Sequence, residues 1–141
     1  MLPNVIFLLN EGDYIGRRHQ AYMILSNITR QTKSTILYYN LRGVESIPFN
    51  EFTRQIDFVS YSEYPDTSIE EIEDQIIYHY KLYKDETENY YENNEQLQPF
   101  VMIIDDFDKI KGVKNIDDLK QFLNDKLTLL QFLNMYIICI L

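Results

Sequence analysis

Three uninterrupted apolar runs constrain this chain more than anything else in it: Val5-Ile6-Phe7-Leu8-Leu9, Phe100-Val101-Met102-Ile103-Ile104, and the closing Met135-Tyr136-Ile137-Ile138-Cys139-Ile140-Leu141. Each has the length of a β-strand and none alternates polar with apolar residues, so each predicts a strand buried on both faces. Such strands need helices above and below them. The intervening residues supply these, with Ala21, Ile24, Leu25 and Ile28 at helical spacing inside 17–30, and Ile69, Ile72, Ile76, Tyr80 and Tyr83 inside 69–83. Ser68 followed by Glu71 is a capping box for the second helix, and Asn115 caps a third that carries Leu119, Leu123, Leu127 and Leu130 on one face. The β-rich runs STILYYNLRG, ending at Gly43, and QIDFVSY, at 55–61, predict two more strands. The expected architecture is α/β, with mostly parallel strands near 4–9, 35–39, 56–60, 100–104 and 135–141 and helices on both faces.

At 141 residues and 45% hydrophobic content the chain predicts one domain, 1–141, with a core of its own. Its net charge of −9 is uneven: between Glu63 and Glu95 stand 11 acids against Lys81 and Lys84, while the other 11 acids and 11 basic residues cancel. No basic stripe is offered to nucleic acid, so DNA contact by this chain alone should be weak. Residues 84–98, KDETENYYENNEQLQ, have no apolar period and repel one another, which predicts an exposed acidic loop. The single Cys139 excludes an internal disulfide framework and a cysteine-rich zinc site. No leader opens the sequence and no apolar run nears a membrane span, which predicts a soluble intracellular chain. No polar residue follows Leu141, as expected of a shortened form or of a domain completed by another chain.

The first strand runs into Glu11-Gly12-Asp13-Tyr14-Ile15-Gly16-Arg17-Arg18, where a nucleotide-binding protein would place G-x-x-x-x-G-K-[ST]. Only Gly16 stands in its expected place. Glu11 and Asp13 bring negative charge to the phosphate position, Tyr14 and Ile15 crowd the loop, Arg17 replaces the compact ammonium, and Arg18 removes the magnesium hydroxyl. The favoured reading is a plain strand-to-helix turn. If a nucleotide site survives, its residues are Gly12, Gly16, Arg17, Arg18 and Asp105, the last ending FVMIID as a Walker-B carboxylate ends its strand to hold Mg²⁺ through water. The acids Asp105, Asp106 and Asp108 lack the spacing of a calcium loop, and His19 and His79 have no Cys partner for a metal. Tyr78, Tyr80, Tyr83, Tyr90 and Tyr91 lie in the most acidic region, which opposes a base-stacking role. No Ser/His/Asp or Cys/His set suggests nucleophilic catalysis, so no catalytic residue is expected.

In its order of features the chain resembles the RecA-like recombinase paralogues, in particular the small ATPase-like subunits that partner a SWIM-domain zinc protein in Shu-type complexes. The matching pieces are VIFLLNEGDYIGRR, TILYYNLRGVESIPFN, IDFVSYSEYPDTSIEEIEDQI and FVMIIDDFDKI. The resemblance implies a RecA-like fold and a nuclear role in homologous recombination. It also implies binding to the zinc protein and help in loading the strand-exchange recombinase on single-stranded DNA. Departures at Glu11, Tyr14, Arg17 and Arg18 put ATP and Mg²⁺ use in doubt but leave an assembly role untouched. The alternatives are a P-loop NTPase or small kinase with an atypical loop, and an unrelated flavodoxin-like binding domain.

Overall fold

A computed structural model of the chain describes residues 2–9, 12–30, 33–43, 58–90 and 98–141. Five strands, β1 (Val5–Leu8), β2 (Ser34–Asn40), β3 (Phe58–Tyr64), β4 (Phe100–Asp105) and β5 (Met135–Ile140), form one sheet in the order β1-β5-β4-β2-β3. Every pairing is parallel. The helices are α1 (Tyr14–Thr29), α2 (Ile69–Tyr90), α3 (Ile116–Asp125) and α4 (Leu127–Leu133), with a 3-10 turn at Phe107–Lys109.

β5, β4 and β2 lie inside the sheet and bury side chains on both of its faces, whereas the apolar run of β1 takes an edge. All six residues of β4 are buried. Its alternate side chains divide between two cores. Val101 and Ile103 join Leu8, Ile36, Ile138 and Ile140 beneath Ala21 and Leu25 of α1. Met102 and Ile104 join Leu37, Ile137 and Cys139 beneath α2, α3 and α4, through Ile72, Ile76, Leu119, Leu123, Leu130 and Leu133. Thus, among the described residues, α1 covers one face and α2, α3 and α4 cover the second.

Helix ends follow the expected chemistry in two cases. The Ser68 hydroxyl accepts from the Glu71 N–H at 3.2 Å, and Asn115 Oδ1 accepts from the Asp118 N–H at 2.9 Å. The capping box is not reciprocal, since the Glu71 carboxylate accepts instead from the Thr67 hydroxyl at 3.2 Å. Three expectations change. α2 runs to Tyr90, so residues 84–90 of the expected acidic loop are helical; neither Gly nor Pro occurs between Pro65 and Pro99 to stop the helix. The remainder of that loop, 91–97, lies outside the described residues. The single helix expected after Asn115 is two, divided at Lys126, where Asn124 and Asp125 are weak helix formers. The third strand reaches Tyr64, three residues past its expected run; residues 55–57 of that run are outside the described set.

Asn134 closes α4 in the left-handed region, φ 54°, and turns the chain directly into β5. Asn tolerates this conformation and a β-branched residue does not. Asn134→Val is expected to lower unfolding free energy by about 1–2 kcal/mol, whereas Asn134→Gly should be near neutral, as read from urea denaturation.

Candidate functional site

The carboxyl ends of β4 and β2 meet the N-terminal turn of α1, and the meeting point is Asp105. Its carboxyl group is wholly buried. A buried carboxylate is tolerable only when donors surround it. Oδ2 accepts from the Tyr14 hydroxyl and, at 2.6 Å, from the Tyr38 hydroxyl; Oδ1 accepts from Arg42 Nε at 3.0 Å. The Arg42 guanidinium also lies over the Tyr14 ring, 3.8 Å from its centroid, in cation–π contact. Local sequence explains the convergence. Tyr38 stands two residues from Ile36 and so points to the α1 face with it, Tyr14 is the first residue of α1, and Arg42 follows the end of β2.

Charge and burial are balanced inside this cluster. Burial raises the Tyr14 and Tyr38 pKa values well beyond the tyrosine range, and the Asp105 carboxylate adds to the rise in both. Burial alone would lower the Arg42 pKa, but Asp105 reverses the direction and holds the guanidinium charged. Both phenols therefore remain donors and Arg42 remains a cation.

The turn before α1 is closed in a similar way. Asp13 is the N-cap, and its Oδ1 accepts from the Gly16 N–H at 2.8 Å. A protein carboxylate thus occupies the helix terminus that a phosphate would need. Gly16 has a structural reason of its own, because a Cβ there would stand 3.1 Å from Asp13 Oδ1. Arg17 does not face Asp105: Nε donates to the Leu141 main-chain oxygen at 2.7 Å and Nη1 donates to the Gly12 oxygen. Arg18 is buried with Ala21 and Leu25 on the sheet side of α1. Gly12 is exposed, and Glu11 lies outside the described residues.

Of the five residues expected for a nucleotide site, Asp105 is central, Gly12, Gly16 and Arg17 belong to a self-capped turn, and Arg18 is core. Tyr14, Tyr38 and Arg42 were not legible as site residues. Tyr14 reads in the sequence as an obstruction, Tyr38 as one more strand aromatic and Arg42 as a turn cation; only the period of β2 would have placed Tyr38 beside Asp105. A magnesium ion requires open carboxylate lone pairs and room for water. Asp105 directs its oxygens to three protein donors, and among the described residues no three His, Cys, Asp or Glu side chains gather as a metal site. As placed, the described residues of this turn and strand satisfy one another.

The neighbouring acids have other partners. Asp106, left-handed at φ 72°, pairs with Lys109 at 2.8 Å. Burial would raise its pKa, but hydrogen bonds from Asp108 and Lys109 outweigh this and lower it, while sharing with Asp106 raises that of Asp108. His79 packs on Phe100, ring centroids 4.0 Å apart, and burial lowers its pKa. Among the described residues no helix is long and apolar enough to cross a membrane.

Asp105→Ala should lower unfolding free energy by about 3–5 kcal/mol in urea titration, because it leaves Arg42 and two hydroxyls without their acceptor. A solvated metal ligand at the same position would cost far less. The raised phenol pKa values also fix a pH dependence. Above about pH 10 the unfolded chain releases tyrosine protons that the folded chain retains, so stability is full below that pH and falls as pH rises through the higher folded values. Tyr38→Phe should flatten this alkaline decline, measured as melting temperature against pH.

No protein-family model matches the chain, and neither a curated protein nor a solved structure matches it.

Proposed function

We propose that the chain is a RecA-like assembly subunit of homologous-recombination DNA repair that does not turn over nucleotide. The observation that carries the non-catalytic reading is the internal satisfaction of Asp105 by Tyr14, Tyr38 and Arg42, with Asp13 holding the Gly16 N–H beside it. The convergence of the first turn of α1 and the β4 carboxylate at one end of a parallel sheet favours descent from a nucleotide-binding domain. Recombination itself is supported by the order of motifs along the chain. The proposed partners are a SWIM-domain zinc protein and the strand-exchange recombinase, with single-stranded DNA reached through the complex, in the nucleus. An acidic chain without a basic stripe suits that indirect contact with DNA.

Isothermal titration of the full chain with Mg-ATP is expected to show no binding tighter than about millimolar. Affinity capture should recover the zinc partner equally with the unmodified chain and with Arg17→Ala. Micromolar Mg-ATP affinity that Arg17→Ala removes would overturn the non-catalytic reading in favour of a P-loop NTPase or small kinase. Capture without a SWIM-domain protein would overturn the recombination reading.

A further inference from the structure

Consecutive tyrosines of β2 serve opposite faces of the sheet. Tyr38 enters the Asp105 cluster, whereas Tyr39 floors a groove on the α2 side with a volume of about 390 Å³, lined also by Tyr64, Asp66, Glu71, Asp74 and Gln75. Tyr39 and Tyr64 are register partners across β2 and β3, and their rings stack at 5.7 Å with 29° between planes. Tyr39 is 4% exposed and Tyr64 45%. The core thus fixes one ring, and the second presents an aromatic surface to solvent with carboxylates around it.

We propose that this groove docks an arginine side chain carried by a basic segment of a partner protein. Charge complementarity selects the occupant. The 63–95 region holds 11 acids and two lysines, so a second copy of this chain would bring like charge to like. The groove's own acids retain acceptor capacity. Asp66 meets Lys111 only in an exposed pair at 3.5 Å, Glu71 accepts one hydroxyl from Thr67 at 3.2 Å, and a carboxylate has about four acceptor positions. Burial, with Tyr64 and Glu71 adding, pushes the Tyr39 phenol up to about 12, which keeps the floor uncharged at neutral pH. Arginine suits the groove better than lysine, because a planar guanidinium can stack on Tyr64 while its edge donates to Asp66 or Asp74. The site lies across the sheet from Asp105 and stands whether or not the recombination reading holds.

The test is fluorescence anisotropy of the full chain with a labelled Arg-Gly repeat peptide, its Lys-Gly counterpart and a Glu-Gly control. The Arg-Gly peptide should bind at least about tenfold more tightly than Lys-Gly, and Glu-Gly should not bind. Tyr64→Ala and Asp74→Lys should each weaken Arg-Gly binding by about tenfold. Asp125→Lys, on α3 near the β1 edge of the sheet, should change it less than about twofold. Unchanged circular dichroism and melting temperature establish that each variant folds. Equal weakening by all three substitutions, equal affinity for the arginine and lysine peptides, or no binding of Arg-Gly would each overturn the proposal.

Discussion

A single buried carboxylate organises the carboxyl end of this sheet. Asp105 terminates the strand with the deepest burial, and an unsatisfied charge there would oppose folding by several kcal/mol, on the order of what holds a small domain together. Satisfying it draws in a hydroxyl from α1, a hydroxyl from β2 and the guanidinium that follows β2. The first turn of α1 is therefore positioned by a polar contact across the sheet as well as by Ala21 and Leu25 beneath it. Three donors from two elements and the turn after β2 thereby fix the carboxylate at this end of the sheet.

The same donors give a strand-end carboxylate of familiar pattern a set of partners from within the chain. FVMIID has the form of a strand that delivers a carboxylate to magnesium, and it does deliver the carboxylate. What differs is the occupant. A phenol at position 14, one residue after the helix cap, donates to one oxygen of that carboxylate. Asp13 does the corresponding work at the helix terminus, where a fixed carboxylate replaces a diffusible anion. In both places the polar group is satisfied from within the chain itself.

The layered fold was legible because continuous apolar runs admit few arrangements: β1, β4 and β5 were placed within a residue or two, as were the caps Ser68 and Asn115. Boundaries set by weaker forces were not legible. Nothing in the acidic composition of 84–90 forbids a helix once Tyr80 and Tyr83 anchor the preceding turns against the core. A continuous leucine stripe hides the bend at Lys126, because Leu127 and Leu130 keep their spacing across it. At the site, Asp105 and the turn after β1 were visible from chain order alone. Tyr38 and Arg42 were not, since their role depends on a sheet register that joins Asn40 to Asp105.

Strand order also has a consequence for how the chain reaches this state. Among the described strands β1 comes first in sequence, yet it pairs with β5, the last of them, with Val5 opposite Ile137. During synthesis at about 5–20 residues per second, the apolar face of β1 must wait on the order of ten seconds for its partner to be made. Over that interval a strand with unpaired N–H and C=O groups is open to foreign edges. The closure of β1 on β5 and that of β2 on β4 both join distant parts of the chain, which should slow folding relative to a fold of local contacts.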